Sequence, residues 1–252
     1  MSGFSLDGIS TGRRSRKTSE LVARDLATYI VDKKLPEGTK LPSETEMLQA
    51  LGVGRTTLRE ALRLLETRGV ITIRAGRHGG PVVRRPRPDD LAEALTLILQ
   101  FEKASLSDVL LSRIVIEPAV AALAATNATP AHIETLQGSI DEMLRHADDQ
   151  ETFLQQNQIF HATVAQASGN TILQIFVESL KSIADGAALS NVQYSPKRRQ
   201  AVAEAHRKIV DAIAAGDADA ASDAMGDHLT AAGRYWKSTY GQAFSSVVKW
   251  EA

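Results

Sequence analysis

The segment from Leu41 to Val83 constrains this chain most, because it sets two short helical patterns on either side of a Gly-containing turn and follows them with two β-branched runs. At its start the Ser43 hydroxyl can cap first-turn N–H groups, and Glu46, three residues on, can reach back to the Ser43 N–H. That makes a capping box ahead of Met47, Leu48 and Leu51. Gly52-Val53-Gly54 breaks the period and leaves Val53 as an apolar plug between two glycines. From Arg55 onward Leu58, Ala61, Leu62 and Leu65 share one helical face, while Arg55, Thr56, Arg59 and Arg63 fall on the other. Val70–Ile73 and Pro81–Val83 then read as a hairpin around the loop Arg74–Gly80. The pattern predicts a helix-turn-helix with a β wing.

Such a helix presents its first turns to the major groove, where Arg can bond guanine O6 and N7 in parallel and Thr can meet a thymine methyl or a phosphate. Arg55, Thr56, Thr57 and Arg59 stand at the right end for that role. In the wing loop the glycines around Gly76 allow close approach to a sugar-phosphate backbone or minor groove, and Arg77 supplies charge. The bland alternative is a solvated basic face. A nucleotide-binding loop at Gly52–Gly54 is excluded by the missing third Gly, Lys and preceding buried strand.

Charge is partitioned to match. Residues 1–88 hold 17 Lys/Arg against 9 Asp/Glu, net +8, and residues 89–252 hold 12 against 21, net −9, so only the first part suits a polyanion. Its binding should weaken steeply with salt as counterions are released.

The stretch LPSETEMLQALGVGRTTLREALRLLETRGVI resembles the DNA-binding domain of the GntR family of bacterial transcription factors. The resemblance implies that Arg55, Thr56, Thr57 and Arg59 read bases and phosphates, with Gly76 and its neighbours in the minor groove. Two positions depart from the family pattern. Gly54 replaces the usual Ser or Thr cap of the recognition helix, and Thr45 replaces an Arg that contacts DNA in many members.

The remaining chain is read around this motif. Residues 1–17 are expected to be a disordered basic arm, and the winged domain spans 18–84, its first helix running from Thr18 to about Lys33 with Leu21, Leu26, Ile30 and Val31 inward. Residues 85–90 are a Pro-stiffened linker, 91–242 an all-helical domain and 243–252 a tail. Seven helices are expected after Asp89: one with Leu91, Leu95 and Ile98 inward, one from Ser105 to Ala125 kinked at Pro118, one from Thr129 to about Ala147, then Glu151–Ala167, Thr171–Ala188, Pro196–Ala215 and Asp217–Tyr240. The fold class is therefore mainly α, a winged helix-turn-helix followed by an antiparallel helical bundle. At 252 residues and 43% hydrophobic content, both cores can be sizeable. The chain has no Cys, no signal-peptide stretch and no run of about 18 to 20 apolar residues, and so is expected in the cytoplasm.

In the second domain the chemistry lies with histidine. Asn157 and His161 are one turn apart on one face, and His206 and His228 come from two later helices. If they converge, three imidazoles and an amide oxygen would make a divalent-metal site with open positions, although lone histidines on helices are more often surface or satisfied interior residues. His132 and His146 read as surface residues and His78 as part of the wing. The motifs Arg113–Glu117, Asn157–His161 with Ala167–Asn170, His206–Val210 and Met225–Leu229 resemble the FCD domain of the FadR subfamily of that family. By that resemblance Asn157, His161, His206 and His228 would hold Zn²⁺, alternatively Mn²⁺ or Ni²⁺, with Asn157 standing where metal-binding members carry Asp. It also implies a small organic acid as effector, gripped by a basic side chain. Arg113 is the candidate, an i, i+4 ion pair with Glu117 being the alternative.

These readings converge on an expected homodimeric, ligand-responsive regulator, a repressor, meeting a pseudo-palindromic double-stranded operator and no membrane. A metal-dependent enzyme with a DNA-targeting module lacks a His-Glu-x-x-His or nucleophile-elbow motif. An architectural DNA-binding protein with a purely structural bundle is the third reading.

Overall fold

The computed structural model describes residues 12–76, 79–187 and 193–250 and divides into two compact units, Met1–Asp90 and Leu91–Ala252.

In the first unit, α1 (Gly12–Asp32), α2 (Glu44–Leu51) and α3 (Arg55–Thr67) precede the antiparallel hairpin of β1 (Ile71–Arg74) and β2 (Gly80–Val83), in register Ile71 to Val83. The expected capping box is present: Glu46 N–H donates to Ser43 Oγ at 3.3 Å and Ser43 N–H to Glu46 Oε2 at 2.7 Å. Gly52 ends α2 in the left-handed region, φ 63°, which costs Gly no Cβ clash and frees the chain to turn at once into α3. Leu58, Ala61, Leu62 and Leu65 are buried as their spacing predicts, against Val22, Ala23, Ile30, Met47 and Ile71. Val53 packs at the edge of this core. The wing is tied back to α3 because Ile73 N–H donates to Glu66 Oε1 at 2.8 Å, and residues 38–41 extend the sheet along β2.

Two expectations about α1 are corrected. The helix starts at Gly12, so residues 12–17 are helical instead of forming an unstructured arm; Arg and Lys are good helix formers and no breaker separates them from Thr18. Leu21 and Val31 face solvent, 42% and 72% exposed, and the packed stripe is Ser19, Val22, Ala23 and Ile30. Of the residues expected inward, Ile30 is buried and Leu26 packs against the core, and the small residues Ser19 and Ala23 complete the face that meets α3.

The second unit contains the seven expected helices: α4 (Pro88–Phe101), which begins at the end of the first unit, α5 (Leu106–Asn127), α6 (Pro130–Arg145), α7 (Gln150–Ala167), α8 (Thr171–Ala187), α9 (Pro196–Ala215) and α10 (Ala218–Phe244). On α4 Leu95 packs against the core as expected, beside Leu99 and the buried Ala92, while Leu91 and Ile98 are exposed. His132, read as a surface residue, completes the capping box of α6 with Thr129. α5 occupies the middle of the bundle, packed against α7, α8, α9 and α10, and remains helical through Pro118. It is also long and apolar enough to cross a bilayer by composition, a property the sequence reading did not find; here Leu106, Val109, Leu110, Val120 and Ala121 lie in the core while Leu111 and Val115 are exposed. The α5–α10 approach is close at Gly233, where a Cβ would lie 2.8 Å from Leu110 Cδ2. Tyr240 departs from helical geometry where α10 was expected to end, and the chain beyond it is docked: Val248 is buried and its N–H donates to Ala104 O at 3.0 Å.

Leu58 is wholly buried at the centre of the first unit. Leu58→Ala is expected to lower its stability by about 2 to 5 kcal/mol through lost burial and the cavity left behind, measured as a shift of the urea midpoint.

Candidate functional site

α5, α7, α9 and α10 bring the site together. His161 from α7, His206 from α9 and His228 from α10 are all buried, and one ring nitrogen from each lies within 4.8 Å of the others. His206 Nε2 and His228 Nε2 are 3.3 Å apart, about the separation of two nitrogens on one tetrahedral cation with Zn–N near 2.0 to 2.1 Å. The expected convergence of the three imidazoles is therefore present. The sequence had no means of showing it, since the residues come from three helices.

Glu117, one turn beyond Arg113 on α5, organises the cluster. Its Oε2 accepts from His161 Nδ1 at 2.7 Å and its Oε1 from Arg113 Nε at 2.5 Å. The His161 contact fixes the tautomer, leaving the Nε2 lone pair free for a cation, which is the carboxylate–histidine arrangement that orients metal ligands. Burial raises the cost of the Glu117 charge, but Arg113 and His161 outweigh it and hold the carboxyl far below its usual range. Burial likewise opposes the Arg113 charge and the attraction of Glu117 overrides it. The imidazoles have no such rescue. Burial lowers His161 in spite of Glu117, drives His206 well down and pushes His228 down to about 3. All three are thus neutral, the form that binds metal. His206 lies face to face with Phe160, ring centroids 3.7 Å apart, and its Nδ1 is buried without a protein partner among the described residues. Neutral donors and the 3.3 Å nitrogen pair together fit a divalent cation.

A cavity of about 340 Å³ opens beside the cluster, of a size for a small ligand. Arg113, Asn157, His161 and His228 line it together with Asp185, Tyr194, Arg198 and Trp236. Arg113 thus satisfies both alternatives: it is paired with Glu117 and it lines the cavity. Sequence reasoning missed Asp185, whose partner Lys181 Nζ is buried on α8 at 2.5 Å; charged residues at i, i+4 in an otherwise apolar helix were the available signal. It also missed Tyr194, whose hydroxyl accepts from Trp236 Nε1 at 2.9 Å, and Arg198.

In the first unit Arg55, Thr56 and Arg59 are exposed and Thr57 is half-buried. Gly54 caps α3 without a side-chain hydrogen bond, and Thr45 is exposed on α2. Gly76, φ 101°, stands in the wing loop, while Arg77 and His78 lie outside the described residues.

The imidazoles carry a pH dependence. Their folded pKa values lie below the ordinary 6.5, so on acidification the unfolded chain takes up protons that the folded one refuses, and stability falls from about pH 6.5 towards the folded values, about 3 for His228. The metal-free chain is expected to lose roughly 1 kcal/mol per group for each pH unit in that window, read as falling urea midpoints in chelator; midpoints that stay flat from about pH 7 to about pH 5 contradict neutral burial.

Comparison with known proteins agrees with both units. Residues 18–78 match the bacterial regulatory proteins of the gntR family, and residues 108–231 match the FCD domain. A protein of Escherichia coli strain K12 named for regulation of an L-lactate dehydrogenase operon is 33% identical over 226 residues, 85% of this chain and 84% of that one. The HTH-type transcriptional repressor NanR of Citrobacter rodentium is 29% identical over 88% of this chain and 86% of its own length, and the Glc operon transcriptional activator of E. coli K12 is 29% identical over 85% and 87%. A solved GntR structure from Streptococcus agalactiae superposes with a TM-score of 0.66 at 29% identity, covering 86% of this chain and 99% of that one. With a basic exposed helix in one unit and a histidine-lined cavity in the other, the chain belongs to the GntR family of bacterial transcriptional regulators, with an FCD effector-binding domain.

Proposed function

We propose that this regulator binds its operator through α3 and the wing and adjusts that binding to a small organic acid held beside a divalent metal. The observation that carries the reading is the meeting of three neutral, buried imidazoles, two of which, His161 and His228, line a cavity that also presents Arg113. Asn157, one turn from His161 and on the same cavity wall, would add an amide oxygen to His161, His206 and His228. Bound there, Zn²⁺, or alternatively Mn²⁺ or Ni²⁺, would supply Lewis-acid attraction for a carboxylate, with Arg113 aligning the second oxygen. Glu117 serves as a positioning residue, fixing both Arg113 and His161. Glu117 is engaged on both oxygens, by Arg113 and His161, and so is not free to act as a general base towards the cavity.

Ligand changes DNA affinity only by binding two arrangements of the protein unequally. Among the relatives are one named repressor and one named activator; repression, by occupation of the operator, is the reading adopted for this chain. Pairing of two copies rests on α5 and α8, which pack on each other and leave Leu111, Val115, Ile172 and Phe176 exposed, Val115 by 70%. A two-fold dimer of this kind meets a pseudo-palindromic operator in the cytoplasm.

Arg55→Ala and Arg59→Ala are each expected to weaken operator binding by about 1 to 3 kcal/mol in gel-shift titrations, the worth of lost bidentate base contacts; unchanged affinity removes them from base reading. Elemental analysis of the purified chain is expected to show roughly one divalent metal per chain, reduced in His206→Ala. A metal-free chain that gains the same melting temperature from organic acids as the loaded one contradicts the metal's part in ligand binding.

A further inference from the structure

We infer that Arg198 is a specificity-determining residue that receives a second carboxylate, so that the cavity selects dianionic acids over their monoanionic counterparts. The inference rests on the reading of the cavity as an organic-acid site and goes beyond it by naming the ligand's charge. Of the cations at or behind the cavity wall, Arg113 is committed to Glu117 and Lys181 to Asp185. Arg198, which lines the same cavity, makes no ion pair among the described residues. Its guanidinium carbon lies 4.7 Å from the Tyr235 ring centroid and its Nη2 donates to Ala231 O at 3.3 Å, while its Nε is buried with no partner among the described residues. A guanidinium steadied by an aromatic face and one carbonyl, with donor capacity unspent, is prepared for a carboxylate.

The other charges around it leave that role open. Glu151 lines the cavity but is exposed in the first turn of α7, and Asp185 is held by Lys181. Asp227 lines a neighbouring groove that Arg198 also borders, and is itself exposed. Arg113 and Arg198 both line the cavity that His161 and His228 border, so two separate guanidinium groups face it. The donor set of three neutral imidazoles and an amide brings no negative charge to a divalent cation, which leaves two positive charges for the ligand to neutralise. One carboxylate on the metal and Arg113 with a second on Arg198 meets that demand.

The test uses succinate and butyrate, equal in chain length and differing by one carboxylate, titrated calorimetrically into the full-length chain loaded with Zn²⁺ at neutral pH. Succinate is expected to bind on the order of tenfold more tightly, the effect of one added charge-assisted contact. In Arg198→Gln the succinate-to-butyrate ratio falls towards one, and Arg198→Lys restores part of it. Equal affinity for the two acids in the wild-type chain, or a ratio that survives in Arg198→Gln, overturns the inference while leaving the organic-acid reading in place. Binding of neither acid overturns both.

Discussion

Glu117 sits in the apolar interior of a helical bundle with each of its oxygens engaged, one by Arg113 and one by His161. A buried carboxylate is tolerated only with such partners, and losing either would leave an uncompensated charge worth several kcal/mol. This pairing fixes more than itself. It holds the Arg113 guanidinium at the cavity wall, sets which nitrogen of His161 is protonated, and ties α5 to α7. The chemistry of the cavity therefore depends on a residue that touches neither proposed metal nor proposed ligand.

What the sequence revealed and what it concealed have physical reasons. The helix-turn-helix was legible because its signals are local: a capping box within four residues, a glycine where a left-handed turn is needed, and an apolar face at a period of 3.6. All seven helices of the second unit were legible for the same cause. The errors at α1 and α4 are of one kind. Leu21, Val31, Leu91 and Ile98 looked buried by bulk and are exposed, whereas Ile30 and Leu95 are packed as expected and the small residues Ser19, Ala23 and Ala92 join them on the inward faces. Apolar pattern names a stripe to within one residue, and close approach between helices then favours small side chains.

The site was half legible. Three histidines could be nominated from motifs, and their convergence required α7, α9 and α10 to be assembled around α5. Arg198 carried no motif, and its interest arises only from what the folded chain withholds from it, a carboxylate partner. Arg113 shows the opposite case: the ion pair weighed against a binding role turned out to be the support that would make such a role possible.

The end of the chain returns to its bundle's beginning. Residues 246–248 hydrogen-bond to the connection between α4 and α5, Val248 is buried, and α10 is a major neighbour of α5. During synthesis, then, α5 emerges from the ribosome long before α10 and residues 246–248, which pack against it and its start, and the second unit has to wait for them to close. The first unit needs only neighbours already made, so it can close ahead of the second.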